Sequence, residues 1–449
     1  MTRQAKKRRE TMINYEKTGF TIPEIMLPKK GTDMSLWTCV ACDQFTQDAK
    51  YWENAYAIRK GCPSAINLML PEFYLDRPGS DEKIEKINKT MDEYVKGGVF
   101  AKPFTGMVLV KRKTLPGVPE RTGLVAALDL ECYDYKKGSG SLIRATEGTV
   151  LSRIPARMKI RKNAALEMPH VMILIDDPEK TVVEKCAEYV KGKRPVYNFA
   201  LNENGGHLKG YKITDPRAFE DVSKALEKLA DRKNFENRYS LPEGTPVLLF
   251  AVGDGNHSLA SAKAFWEEKK KSGASSVDPA RYALCEICNI HDPGIIFEPI
   301  HRVLFNVDAD DLTDSLCEYF GDKASVCFFG KNEKAADYEG CYSLSFYAGK
   351  KQGAIYIDKT IDPLAVGALA PFLDGYLEAH KNVSIDYIHG DGEAVKLGRK
   401  AGNFSILLPA MDKNSLFPSV IRNGALPRKT FSMGEACEKR YYNECRLIR

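Results

Sequence analysis

A short turn, Asp254-Gly255-Asn256-His257, is the stretch of this sequence whose residue types are best suited to chemistry. Gly253 and six consecutive apolar residues precede it, and an apolar pattern of helical spacing follows it. Glycine allows a backbone to approach a ligand closely, and the N–H groups at the start of a helix carry the positive end of its dipole. The turn therefore predicts a binding site for a phosphate or a carboxylate.

The side chains of the turn suggest distinct roles in such a site. Asp254 can hold a magnesium ion or accept a proton from a hydroxyl, and His257 can donate to the bound anion. The alternative is a capping turn in which Asp254 and Asn256 only satisfy helix N–H groups. The predicted ligand-binding residues around the turn are Gly253, Gly255, Asn256 and Ser258.

Three further loops carry groups that bind anions. In the first, Glu147 is a candidate base beside the ligand-binding candidates Arg144, Thr146 and Thr149, which together can grip a phosphate while a hydroxyl is activated. The other two loops contribute the ligand-binding candidates His389, Arg428, Lys429 and Thr430. Basic pairs of this kind are also common on ordinary surfaces, and His389 is equally consistent with a loop histidine.

Two of these loops, those of Arg144 and Arg428, are predicted to meet the turn in one cleft, although more than a hundred residues separate each of them from the turn. Each is rich in anion-binding or acid/base groups, and unrelated capping turns have no reason to converge in space. The predicted cleft is lined by Arg144, Glu147, Asp254, His257 and at least one of Arg428 and Lys429.

The elements that must position these residues follow from hydrophobic spacing and from helix caps. The pattern indicates an α/β fold, with α+β as the variant, in which mixed sheets are flanked by helices. The predicted strands include 37–41, 107–111, 121–130, 171–175, 247–252, 325–329, 343–348, 354–357, 385–389 and 404–408. The predicted helices include 81–96, 179–189 after a cap at Asp177, 215–229, 258–270 and 362–380.

The length of 449 residues favours two closely associated subdomains. Residues 1–18 are predicted to be a basic solvated tail, 19–245 an N-terminal mixed α/β subdomain and 246–449 a C-terminal subdomain that contains the turn. Apolar residues make up 43% and charged residues 28% of the chain, and no apolar run is long enough to span a bilayer. A cytoplasmic protein without a membrane partner is expected.

Twelve cysteines include the pairs Cys39/Cys42 and Cys285/Cys288, each with C-x-x-C spacing. Both pairs lie in apolar runs that lack the turn residues of a zinc knuckle, and a strand directs the two members of a pair to opposite faces. Reduced cysteines and no zinc are therefore predicted. The net charge of +6 is too scattered to indicate a nucleic-acid partner.

Several motifs, spread over nearly the whole chain, resemble the domain of unknown function 1015 family. The turn is also similar to the Asp-Gly-His-His-Arg turn of the free serine kinases in the ParB/sulfiredoxin superfamily, although Asn256 replaces the first histidine and Ser258 replaces the arginine that this resemblance expects on phosphate. The motifs that carry the family resemblance are Ile22-Pro23-Glu24, Val40-Ala41-Cys42-Asp43-Gln44-Phe45, Arg144-Ala145-Thr146-Glu147, Asp254-Gly255-Asn256-His257, Tyr387-Ile388-His389 and Leu426-Pro427-Arg428-Lys429-Thr430.

Three functions are compatible with these features. The first is a nucleotide-dependent phosphotransferase, a small-molecule kinase that uses ATP or ADP with magnesium to phosphorylate a small hydroxylated metabolite. The second is a nucleotide-binding switch or DNA-associated protein of the ParB type. The third is a binder of a small acidic metabolite that uses the same turn without chemistry.

Overall fold

The computed structural model of the chain describes residues 12–39, 49–75, 77–114, 117–168, 170–202, 204–330, 333, 335–434, 439–440 and 443–449. These residues pack into two compact units. Unit 1 contains the described residues up to Ile295, together with Leu416–Ala425 and the described residues from Lys439 onwards. Unit 2 contains the described residues of Ile296–Ser415 and 426–434.

The strands are short and spread along the whole chain. In chain order they are β1 Ile13–Tyr15, β2 Phe20–Ile22, β3 Glu24–Ile25, β4 Phe104–Thr105, β5 Met107–Lys113, β6 Arg121–Asp129, β7 Tyr133–Asp134, β8 Ile143–Ala145, β9 Leu166–Glu167, β10 Met172–Ile175, β11 Tyr197–Ala200, β12 His207–Ile213, β13 Phe250–Asp254, β14 Tyr282–Asn289, β15 Phe297–Phe305, β16 Ala324–Phe328, β17 Cys341–Ala348, β18 Lys351–Asp358, β19 Ser384–His389, β20 Asn403–Ile406, β21 Phe431–Met433 and β22 Arg446–Leu447.

The α-helices alternate with these strands. In chain order they are α1 Met34–Trp37, α2 Ala49–Ile58, α3 Ser80–Lys96, α4 Ile154–Lys162, α5 Pro216–Leu229, α6 Arg232–Tyr239, α7 Asn256–Lys271, α8 Ala309–Phe320, α9 Ala365–Ala379, α10 Asp391–Gly398 and α11 Leu416–Asn423.

Unit 1 is built on a mixed sheet of eleven strands among the described residues, with β13 in its interior. The strand order is β11-β12-β5-β6-β14-β10-β13-β8-β7, and β2 and β1 extend it from β6. β13 runs antiparallel to β10 and parallel to β8. The predicted α/β class with mixed sheets is therefore confirmed.

Unit 2 contains the second large sheet, whose order is β16-β18-β17-β20-β15-β19 with β21 beside β15. Its strand pairs among the described residues are antiparallel. Helices α8 and α9 bury apolar residues such as Leu316 and Phe372 in one cluster with the sheet. The strands and helices predicted here occur with ends shifted by a few residues.

Helices α3 and α7 show why the apolar spacing is informative. α3 buries Ile84, Ile87 and Met91, which lie on one face, and Gly97 caps its C-terminus as predicted. α7 buries its predicted apolar face, including Leu259 and Phe265. The prediction of a helix that packs on the sheet after the turn is thus confirmed.

The predicted strand 247–252 is buried along its whole length, but the ladder begins only at Phe250 and continues to Asp254. Before this point, the Leu249 N–H donates to the carbonyl of Leu142 instead of joining a regular strand pair. Burial and strand pairing therefore coincide only partly, because a ladder also needs a neighbouring strand of matching length.

Two local predictions are wrong. Residues 179–183 do not form a helix, because Lys180 has a positive φ of 56° and the Asp177 carboxylate accepts a hydrogen bond from the N–H of Val182. Only a 3₁₀ segment, Glu184–Val190, follows. The predicted strand 37–41 fails at Trp37, which ends α1, and residues 40 and 41 lie outside the described residues.

The predicted subdomain boundary also moves. The chain divides between Ile295 and Ile296 rather than between residues 245 and 246, because β13 pairs with β10 and β8 inside the first sheet. The turn therefore belongs to unit 1. Residues 1–11 of the predicted tail lie outside the described residues, whereas Ile13–Tyr15 forms β1.

The ten described cysteines are not in disulfides. Cys285 and Cys288 lie in β14 and are fully buried, and burial raises the pKa of both thiols. Cys42 lies outside the described residues. A search of the described helices finds none with the length and apolarity needed to cross a membrane.

Candidate functional site

The turn after β13 is shaped by close backbone packing. Gly255 has a φ of +80° and lies directly before α7. A Cβ atom on this residue would lie 2.3 Å from the carbonyl oxygen of His170 and 3.0 Å from Cα of Val171. Gly255 is therefore required by the segment that enters β10, in addition to any approach of a ligand.

Asp254 ends β13 with its carboxylate among basic groups. One oxygen lies 3.2 Å from Nζ of Lys439 and 3.2 Å from Nε2 of His170, while the other accepts the N–H of Gly255 at 2.7 Å. Burial by itself raises the pKa of Asp254, but the charge of Lys439 and the hydrogen bond from His170 outweigh it and hold that pKa well below its usual value. Asp254 is therefore an anion that orients two basic side chains.

His170 connects this carboxylate to the C-terminal end of the chain. Its Nδ1 lies 2.7 Å from the carbonyl oxygen of Arg440, to which a ring N–H can donate. The guanidinium of Arg440 donates in turn to the side chain and the carbonyl of Asn202. The segment that contains Lys439 is thereby held beside the turn.

The N-terminus of α7 has no side-chain cap, and its first turn has no acidic residue. Helices α5 and α6 differ, because Asp215 and Asp231 accept hydrogen bonds from their first N–H groups. Among the described backbone N–H groups, Asp254 accepts only from that of Gly255, which precedes the helix. The capping alternative is therefore not what the structure shows, and the dipole of a 16-residue helix ends beside Lys439 and His170.

The loop that follows β8 lies over this helix start. Nε2 of His257 accepts a hydrogen bond from the backbone N–H of Val150 at 3.3 Å. Oδ1 of Asn256 and Oγ1 of Thr149 are buried without a hydrogen-bond partner. Buried polar atoms normally have a partner, so two unpaired ones at neighbouring positions indicate a place for a bound molecule.

The side chains of Arg144 and Thr146 donate hydrogen bonds to backbone carbonyls in or just before β13. The Arg144 guanidinium donates to the carbonyls of Pro246 and Val247, at the start of the segment that leads into β13 and away from Asp254. The Thr146 hydroxyl is fully buried and donates to the carbonyl of Val252 at 2.7 Å. These two side chains thus hold β8 against β13, and their predicted contacts with a phosphate stay a prediction. Glu147 follows β8 and is half-buried.

The other predicted ligand-binding residues belong to unit 2. His389 ends β19, and the Thr430 hydroxyl donates to the carbonyl of Pro427 at 2.6 Å. The guanidinium of Arg302 donates to the backbone carbonyls of Arg428 and Lys429 and fixes this loop. A shared cleft between these residues and Asp254 remains a prediction.

Lys439 and His170 were not among the residues predicted from the sequence. His170 stands directly before the apolar strand β10, and this strand pairs antiparallel with β13 so that Met172 lies opposite Asp254. The strand itself is visible in the sequence, but its partner is not. Lys439 carries no local signal, because it lies 185 residues beyond Asp254 in an ordinary charged segment.

The residues present fit a protein-bound metal ion poorly. Among the described parts of the chain, no group of three or more His, Cys, Asp or Glu side chains is arranged to hold one. Both oxygens of Asp254 already accept from N–H groups or contact a basic side chain. A metal ion on Asp254 would have to displace Lys439 or His170.

Comparison with known proteins places the chain in a family. Solved structures of similar architecture include a conserved hypothetical protein from Pyrococcus furiosus (13% identity, 69% of this chain and 90% of that chain, TM-score 0.35) and a free serine kinase variant in complex with ADP (12%, 70% and 88%, 0.38). SbnI from Staphylococcus aureus, with a C-terminal truncation, is a third (8%, 72% and 82%, 0.34). No curated protein sequence matches significantly. The profile described as "Protein of unknown function (DUF1015)" matches residues 26–394, and the chain therefore belongs to the DUF1015 family.

Proposed function

We propose that this protein binds a nucleotide phosphate at the N-terminus of α7 and transfers a phosphoryl group to a small hydroxylated metabolite. The observation that carries the proposal is the uncapped start of α7 beside Lys439 and His170. A helix N-terminus and a nearby ammonium group both attract phosphate oxygens. The unpaired oxygens of Asn256 and Thr149 offer acceptors for hydroxyl or amide donors of the bound molecule.

Phosphoryl transfer demands positioning and charge neutralisation more than covalent chemistry. The oxygen of the substrate hydroxyl attacks the terminal phosphorus of ATP or ADP, the bond to the nucleotide oxygen breaks, and the leaving nucleotide keeps the electron pair. Glu147 is the proposed acceptor of the hydroxyl proton. Asp254 is a weak base, because its pKa is strongly depressed, and it is proposed to position Lys439 and His170.

Magnesium usually enters such reactions on the nucleotide phosphates rather than in an all-protein cage. Because the described residues fit a resident ion poorly, the proposal uses no step that depends on a metal. His257 and Ser258 are proposed to donate to the anion from the first turn of α7. Gly253 and Gly255 shape the turn that exposes these donors.

One observation favours a second candidate, a binder of a small acidic metabolite that performs no chemistry. The carboxylate of the turn is committed to two basic side chains and its pKa is low, so Asp254 is not an effective base. The two candidates share the anion site and differ only in turnover.

Binding is tested by calorimetric titration with ADP, ATP and inorganic phosphate, with and without magnesium. Lys439→Met is expected to weaken ADP binding roughly 10- to 100-fold, because a charge-assisted contact contributes about 1.5–3 kcal/mol. Lys269→Met is the matched control, since Lys269 is also a partly buried lysine paired with an aspartate, Asp278, but lies far along α7. Equal affinity of the Lys439→Met and wild-type proteins would exclude the proposed site.

Turnover is tested by following nucleotide consumption in the presence of a panel of hydroxylated metabolites. Glu147→Gln is expected to lower kcat about 10²- to 10⁴-fold while leaving the Kd for ADP unchanged, because a general base acts only in the chemical step. Nucleotide binding without consumption by any member of the panel would favour the non-catalytic candidate.

A further inference from the structure

The C-terminal segment, residues 439–440 and 443–449, is built into unit 1 along its length. Lys439 reaches Asp254, and the backbone of Cys445 pairs with that of Met26. Beyond this point, β22 pairs with β9, and the N–H of Ile448 donates to the carbonyl of Ala165. The segment that supplies a basic group to the anion site is therefore also part of the core.

The end of the segment around Arg446 is held by the buried carboxylate of Glu167, whose charge is balanced by two arginines. The Glu167 carboxylate is 4% exposed, accepts from Nε of Arg446 at 2.6 Å and from the N–H of Leu284 at 2.8 Å, and also pairs with Arg161. Burial raises the pKa of Glu167, but Arg446 and Arg161 outweigh it and lower the pKa below its usual value. A buried carboxylate with two guanidinium partners is a firm anchor.

Glu444 lies two residues before Arg446, and no described basic side chain balances the charge of its carboxylate. It is 2% exposed, and its Oε1 accepts from the hydroxyl of Tyr197 in β11 at 2.7 Å. Among the described residues it makes no ion pair with a basic side chain. An ionised carboxylate in this place would be a buried charge that only neutral groups hold, namely the Tyr197 hydroxyl and the backbone N–H groups of Asn443 and Glu444.

A second buried carboxylate near Glu444 disfavours its ionisation. The Glu286 carboxylate of β14 is buried nearby, repels a second negative charge and is paired with Arg121 of β6 at 3.5 Å. Arg112 of β5 lies opposite Arg121 on the same face of the sheet. Asn443 and the Cys445 thiol flank Glu444 in the chain. Burial is the largest cause that raises the pKa of Glu444, which lies at about 7.

We infer that the packing of the C-terminal segment against the rest of unit 1, here called its seating, depends on the protonation of Glu444. The neutral Glu444 side chain holds in place the stretch that positions Lys439 at the anion site. Ionisation of Glu444 loosens the stretch before Arg446, while the Arg446–Glu167 pair keeps the end of the chain attached. The consequence for ligand binding rests on the proposed function. The seating itself does not.

The direction in which stability changes with pH follows from the raised pKa of Glu444. The stability that Glu444 contributes is fully present below its ordinary pKa of 4.5 and is lost as the pH rises to about 7, after which little more is lost. Between pH 5 and pH 7.5, the equilibrium constant for opening of the segment should rise roughly 50-fold.

Hydrogen exchange of the C-terminal peptides, corrected for intrinsic rates, measures this opening. The wild type is expected to lose protection between pH 5 and pH 7.5, whereas Glu444→Gln keeps the same protection at both pH values. Glu227→Gln, which changes an exposed glutamate paired with Lys17, is the control and should behave like the wild type. Tyr197→Phe removes the hydrogen bond that lowers the pKa of Glu444 and should shift the loss of protection to higher pH.

Flat protection in the wild type, or the same loss of protection in Glu444→Gln, would overturn the inference. If Glu444→Gln does not fold, the shift expected in Tyr197→Phe decides. The Kd of the wild type for ADP, divided by the Kd of Glu444→Gln for ADP, should also rise with pH. A protein that fails to bind ADP but shows the pH-dependent exchange would disprove the proposed function and leave the seating inference intact.

Discussion

Two turns of this protein share the order strand, glycine and helix, and they differ in their surroundings. In unit 1, β13 runs through Gly255 into α7, and in unit 2, β19 runs through Gly390 into α10. Both glycines have a φ near +80°, and neither helix has a side-chain cap at the glycine. In the sequence, both turns look like anion sites.

The difference lies in charge. The first turn of α10 contains Asp391 and Glu393, so acidic side chains already face the positive end of its dipole. The first turn of α7 contains no acidic residue, and Lys439 and His170 lie beside it. The proposed anion site therefore lies at the glycine turn whose helix begins without an acidic residue.

The largest expected contrast concerns the two glycines. Gly255→Ala should lower the free energy of unfolding by about 3 kcal/mol, because the new Cβ meets the carbonyl oxygen of His170 at 2.3 Å in a left-handed backbone. Gly390→Ala should cost less, about 1–2 kcal/mol, since no atom lies within 4 Å of its Cβ position and only the backbone strain of φ +81° with ψ 128° remains. Denaturant unfolding of both variants measures the contrast, and equal losses would contradict it.

An acidic residue in the first turn of α7 should make it resemble α10. Ser258 is exposed, so Ser258→Asp is expected to spare the fold, stabilise the helix by about 0.5 kcal/mol and weaken ADP binding about tenfold. Ser272→Asp adds the same charge at the opposite end of α7 and should leave binding unchanged. Calorimetric titration with ADP measures binding by both variants. Unaltered ADP binding by Ser258→Asp would show that the dipole of α7 does not contribute to the proposed site.

The smallest effect concerns the acidic turn of α10. His301 is buried, its Nδ1 accepts from the N–H of Leu408 at 3.1 Å, and its Nε2 lies 2.9 Å from Asp391. Burial lowers the pKa of His301 below its ordinary 6.5, and Asp391 partly opposes this. The stability contributed by neutral His301 is thus present above pH 6.5 and is lost as the pH falls through the lower folded pKa.

Asp391→Asn should therefore lower the pKa of His301 further, so that the loss of stability below pH 6.5 becomes larger and continues to a lower pH. Titration of the imidazole signals by NMR, with the exposed change Glu393→Gln as control, measures the shift. A rise of the pKa in Asp391→Asn would show that the turn of α10 does not stabilise the charged ring.

Local patterns predicted most elements near the site. The apolar face of α7 and the extent of α5 depend on side chains close in sequence, so their spacing was sufficient. The failures at 179–183 and at Trp37 occur where local propensity is overridden. In the first case, the Asp177 side chain binds the Val182 N–H in a loop and no helix starts.

The candidate site was predictable only in part, for the same reason. Asp254, Asn256 and His257 are adjacent in the chain, and the sequence alone determined that they stand between a buried strand and a helix. The tertiary structure decided that Arg144 turns toward Pro246 and that Lys439 reaches Asp254. Which side chains surround a turn depends on strand order and on the path of the C-terminal segment, and these follow from packing over the whole unit rather than from any local pattern.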